Sequence, residues 1–272
     1  MEKKFIGVGL LSGLIAGIVA FVFARRFVEP QVARAIDYEE ARSHAEEVLA
    51  GSDPSVHEHG EVFTRSVQEN IGAGVGTIAF AVCLGAFFAV AFIVLWTYIG
   101  RRHPSTDPRM VAAAIGSIGF VAVFAVPFLA YPASPPAVGD DTTIGPRTGA
   151  FLTITACSVG FAIAAVVVAL WLRPRIGGLV SGVVAAAAYL VAVGITIALL
   201  PGFHEVPTAL MNGDRILFPG FPGDVIADFR VYTIATQVTL WAVLTLMFAL
   251  LLGRMMRSQS AAPVAGREQL AT

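Results

Sequence analysis

The chain has 272 residues, 56% of them apolar and 14% charged, with a net charge of −1 and a mean hydropathy of +0.76. A water-soluble domain carries about 25% charged residues, so this chain cannot cover its own surface with polar groups, and a simple soluble enzyme is excluded. The near-zero net charge gives no basic field for nucleic acid. The two cysteines, Cys83 and Cys157, both fall within apolar runs and are too few for a disulfide scaffold.

Six apolar runs are long enough to cross a bilayer as helices: about 5–24, 71–99, 110–130, 148–172, 176–200 and 229–252. They are continuously apolar rather than alternating, which selects helices over barrel strands. The expected architecture is an all-α polytopic membrane domain over 1–253, followed by a disordered cytoplasmic tail at 254–272. The first run is too long for a signal peptide and lacks a small-x-small cleavage pattern before Arg25-Arg26, so it reads as a retained helix.

Lys/Arg bias sets the orientation. Lys3 and Lys4, Arg101, Arg102 and Arg109, Arg173 and Arg175, and Arg254 and Arg257 flank the N-terminus, the second and fourth connections and the C-terminus. That predicts both termini in the cytoplasm. The first connection, 25–70, holds five arginines but also ten acids. On this topology connections one, three and five are long and face outward, and they carry four of the five histidines.

Within the first outer loop, Val32, Ala35, Ile36, Ala41, Ala45, Val48 and Leu49 form a stripe at helical spacing, predicting an amphipathic helix at about 28–49. Glu40, His44 and Glu47 share the opposite face, as a solvated row or a cation-binding one. His57-Glu58-His59-Gly60-Glu61 follows. If extended, it puts His57, His59 and Glu61 on one side, a nitrogen and oxygen set suited to Co²⁺, Ni²⁺ or Zn²⁺; the alternative is a solvated loop pair.

The third connection, Tyr131-Pro132 to Ile144, is stiffened by Pro132, Pro135 and Pro136 and turns at Gly139 before Asp140 and Asp141. It is either a rigid lid or an ordered surface turn. His204, Glu205, Asp214, Asp224 and Asp228 populate the fifth. Gly9, Gly13 and Gly17 form a small-residue ridge on the first helix, and Gly178 and Gly182 repeat the spacing on the fifth, for internal packing or for docking a second subunit. Pro127 is placed to kink the third helix.

Signatures of ATP hydrolysis and of the serine and zinc hydrolases are absent. The middles of the six runs hold no Asp, Glu, Lys, Arg or His, which argues against a self-contained proton-coupled pump.

Glu29-Pro30 with Ala35-Ile36-x-Tyr38-Glu39, the histidines before Arg65-x-x-Gln68, Tyr131-Pro132 through Asp140 to Thr143-Ile144 and Arg147-Thr148, and Pro201-x-Phe203-x-Glu205-Val206-Pro207 with Phe229-Arg230 together resemble the CbtA-type predicted cobalt transporter subunit family. The resemblance runs from Met1 to about Leu252. It implies a multi-pass subunit of a bacterial or archaeal cytoplasmic (inner) membrane, taking up Co²⁺ or Ni²⁺ for cobalamin supply, with no permanently bound cofactor. It also implies a small one-helix, His-bearing partner in the bilayer. The candidate outer-face cation contacts are His57, His59 and Glu61, with His44, Asp140, Asp141 and His204. The alternatives are a non-transporting scaffold for another transporter and a corrinoid carrier; no enzyme constellation is present.

Overall fold

The structure, a computed structural model, describes residues 2–51, 67–203 and 205–268. Its helices are α1 (Glu2–Phe27), α2 (Glu29–Ala50), α3 (Ala73–Arg102, entered through a π turn at Gln68–Gly72), α4 (Pro108–Ala130), α5 (Ile144–Ile176), α6 (Gly178–Leu199) and α7 (Gly223–Glu268). All except α2 are long and apolar enough to span a membrane. The chain is an all-α polytopic membrane protein with one small hairpin, β1 (Leu210–Asn212) and β2 (Arg215–Phe218), among the described residues.

Most helices outrun their apolar cores. α5 continues through Pro174 and ends at Gly177, whose φ of +83° suits a residue without Cβ, so the turn to α6 is tighter than the three-residue connection expected from sequence. α7 continues past its apolar core, where Arg254, Met255, Met256 and Arg257 are good helix formers, and is helical to Glu268. Two spans end with an aromatic and an arginine one turn apart. The Arg102 guanidinium lies 4.2 Å from the Tyr98 ring at the end of α3, and that of Arg175 3.8 Å from the Trp171 ring at the end of α5. Such pairs belong at headgroup level, with the ring half in hydrocarbon and the cation reaching water.

The chain divides into two compact units. One comprises α1 to Arg25, α3, α4 to Ile118 and α7 from Ala235. Here the glycine ridge of α1 meets small residues of α3. Added Cβ atoms at Gly9 and Gly17 would lie 2.7 Å from Ala89 Cβ and 2.8 Å from Ala81 Cβ, and one at Gly85 would lie 3.0 Å from Gly13 Cα. The backbones therefore touch, and the ridge serves internal packing. Beside it Phe92 stacks on Trp96 and packs edge-on to Phe248, at centroid distances of 6.1 and 5.1 Å. The ridge on α6 is different: nothing lies within 4 Å of a Cβ at Gly182.

The second unit holds α2, α4 from Gly119, α5, α6, the hairpin and α7 to Ile234. α5 and α6 pack along their length, with Ser158 and Tyr189 sharing a 2.7 Å hydrogen bond. Val126, Ile154 and Val193 form the core joining α4, α5 and α6. Within α4, residues Phe120–Ala125 form a π turn immediately before Pro127, so the kink expected at this proline is accompanied by a local widening of the helix.

Candidate functional site

Sequence reasoning directs attention to the third and fifth connections, and in the second unit these form one folded cap. The proline run from Tyr131 ends where Ala137 and Gly139 take positive φ values of 65° and 143°. Asp140 then caps a short 3₁₀ turn: its Oδ1 accepts from the Thr142 N–H at 2.8 Å and from the Thr142 hydroxyl at 2.6 Å. That turn leads into α5, where Arg147 folds back over Gly139 so closely that any side chain there would collide with the guanidinium.

Glu205 fastens the fifth connection to this turn. Its Oε2 accepts from the Asp140 N–H at 2.9 Å and lies 3.4 Å from Arg147 Nη1. The Thr143 hydroxyl and the Asp140 N–H beside it hold the Glu205 carboxyl below the ordinary glutamate range, with a smaller contribution from Arg147. The Asp140 carboxyl is lowered too, first by its Thr142 hydrogen bonds. Tyr131 donates to the Pro201 carbonyl at 2.8 Å, and Arg230 Nε to the Ala133 carbonyl at 3.1 Å.

α2 straps the other side of the cap. Pro30 in its first turn and left-handed Gly51 at its C-cap mark its ends. The buried face is Gln31, Ala35 and Tyr38; of the stripe read from sequence, Ala35 is buried, Val32, Ile36 and Ala45 are half-buried, and Ala41, Val48 and Leu49 are exposed. Tyr38 fits between Phe218 and Phe221, at centroid distances of 5.4 and 4.8 Å, and donates to the Pro219 carbonyl at 3.0 Å. Arg42 Nη1 donates to the Thr208 carbonyl at 2.7 Å, while its Nε is held by Glu46 at 2.8 Å. Arg34 meets Asp224 at 2.5 Å with both side chains about half exposed, a pair worth little by itself.

Of the candidate cation contacts, His57, His59, Glu61 and His204 lie outside the described residues. His44 and Asp141 are exposed, and Asp140 is engaged as a cap. Among the described residues no three His, Cys, Asp or Glu side chains come together in a way that could hold a metal ion. Within α5 and α6 the Thr155 and Thr196 hydroxyls donate to the carbonyls of Phe151 and Ala192 one turn back, at 2.7 and 2.9 Å. Tyr38, Arg42 and the hairpin were not identified as parts of a site from sequence, although Asn212-Gly213-Asp214 between Met211 and Ile216 carries a two-residue turn signal.

A family described as CbtA, probable cobalt transporter subunit, matches residues 2–253. No curated protein and no solved structure matches the chain.

Proposed function

The chain belongs to the CbtA family of probable cobalt transporter subunits, and from this membership we propose that it is the membrane-embedded subunit through which Co²⁺, or chemically similar Ni²⁺, is taken up for cobalamin supply. The observation that carries the proposal is the extent of the match, which takes in all six spans and the whole cap. The chain acts as a carrier subunit and not an enzyme, in a bacterial or archaeal cytoplasmic membrane, with N- and C-termini inside. The aromatic–arginine pairs at Tyr98–Arg102 and Trp171–Arg175 support that orientation, since arginine favours the cytoplasmic headgroups.

His57, His59 and Glu61, together with His44, Asp141 and His204, attract the cation and remove part of its water before translocation. Nitrogen and carboxylate oxygen ligands suit a borderline divalent ion, and imidazoles release it on protonation. A small His-bearing one-helix subunit completes the capture site.

Cobalt accumulation in cells expressing the chain with its partner tests the reading. The double substitution His57→Ala/His59→Ala is expected to lower accumulation at limiting cobalt and to recover at saturating cobalt, as loss of capture ligands requires. Unchanged uptake at limiting cobalt removes those residues from the mechanism. Purified protein that passes no cobalt in liposomes yet holds a stable partner would make it a scaffold, and competition by cobalamin would make it a corrinoid carrier.

A further inference from the structure

We infer that the π turn of α4 is a hinge whose bending is a step in the transport cycle; the bending stands on the geometry below, and its use in transport rests on the proposed function. Within α4 the Val126 N–H bonds the Val121 carbonyl five residues back, one residue farther than in an α-helix. The next residue, buried Pro127, brings no N–H, so the carbonyls of Ala122 and Val123, five and four residues before it, receive no bond from it. A displaced rung and a missing rung of the main-chain ladder thus fall on successive residues. A proline kinks a helix, and a widened turn beside it shifts the neighbouring hydrogen bond out of α register.

The residues around this turn are arranged for flexing. Beyond it, Val126 is anchored against Ile154 and Val193, so the outer piece of α4 moves with α5 and α6.

The test uses the full chain in lipid bilayers, with Cys83→Ser and Cys157→Ser, carrying spin labels at Met110→Cys and Leu129→Cys. Both labelled positions are exposed and would stand about 28 Å apart on a straight helix. The expected distance distribution is broad or two-peaked. Pro127→Ala, which restores the N–H within a good helix former, should collapse it to one narrow peak. In parallel it should lower cobalt accumulation by about tenfold or more, at an unchanged level of protein in the membrane. Pro127→Gly, which restores the N–H but leaves the backbone pliant, should retain both the breadth and the accumulation. Identical distributions in the starting chain and Pro127→Ala would refute the hinge. Full accumulation in a narrowed Pro127→Ala would refute its part in transport, and so would a Pro127→Gly as inactive as Pro127→Ala. If the starting chain accumulates no cobalt, the proposed function fails and the distances still decide whether α4 bends.

Discussion

Gly13 and Gly182 stand in nearly the same local sequence, Gly9-Leu-Leu-Ser-Gly-Leu-Ile-Ala16 and Gly178-Leu-Val-Ser-Gly-Val-Val-Ala185, yet the structure gives them opposite surroundings. A Cβ on Gly13 would press into the Ala81 carbonyl and lie 3.0 Å from Val82 Cα; one on Gly182 meets nothing within 4 Å. Replacing Gly by Ala within a helix gains about 1 kcal/mol of propensity at either position. At Gly13 the two backbones must also separate, and overpacking of this kind costs about 1–3 kcal/mol. Because the propensity gain is common to both, the difference in stability between Gly182→Ala and Gly13→Ala isolates the packing cost. At about 2–4 °C per kcal/mol for a chain of comparable size, Gly13→Ala should melt roughly 2–12 °C below Gly182→Ala. Thermal unfolding of the two purified variants in one detergent measures it. Equal melting temperatures, or a lower one for Gly182→Ala, would refute the assignment of the α1 ridge as the packed one and make the α6 ridge an interface instead.

The Glu205 clasp predicts a pH dependence. A carboxyl whose folded-state pKa is depressed contributes stability that is present above its unfolded value and lost as pH falls through its folded one. Glu205 and Asp140 are both lowered, so hydrogen exchange over 131–143, corrected for its intrinsic pH dependence, should stay constant from neutrality down to 4.5, the ordinary glutamate value, and rise below it as the clasp is protonated. Glu205→Gln should exchange faster throughout; a rise in the unsubstituted chain at about pH 6.5 would assign the titration to histidine instead. The orientation predicts that a cysteine at position 102 reacts with an impermeant reagent only from the cytoplasmic side and one at position 57 only from outside, and the reverse pattern would invert the topology.

The spans were legible because a bilayer imposes one requirement on every helix that crosses it, about 20 apolar residues in a row, and composition alone reports that. The contact between α1 and α3 was legible only as a motif. Gly9, Gly13 and Gly17 approach α3 because Ala81, Gly85 and Ala89 are small at matching heights, and Gly182 lacks such a counterpart among the described residues. Pro127 marked where α4 departs from a regular helix, while the π turn just before it carries no signal of its own in the local sequence. In the cap, the apolar stripe of α2 located a helix and one residue of its buried face, Ala35, but missed Gln31 and Tyr38. The face is chosen by Tyr38, which needs Phe218, Phe221 and the Pro219 carbonyl from a segment far along the chain.

The cap also separates two kinds of outer-face charge that composition counts together. Glu205 faces Arg147, Asp224 faces Arg34, Glu46 faces Arg42, and Asp140 is spent on Thr142. An acid already matched to a cation or to N–H donors gains little from a second cation, and removing it leaves its partner uncompensated. Substituting any of these four therefore reads out how the connections hold together, whatever the chain transports. His44 and Asp141, exposed on the described surface, carry no such structural burden, so a change in half-saturating cobalt on replacing them, at unchanged melting temperature, speaks to capture alone. Loss of transport in Glu205→Gln with a loosened 131–143 segment points to the scaffold that presents the capture groups.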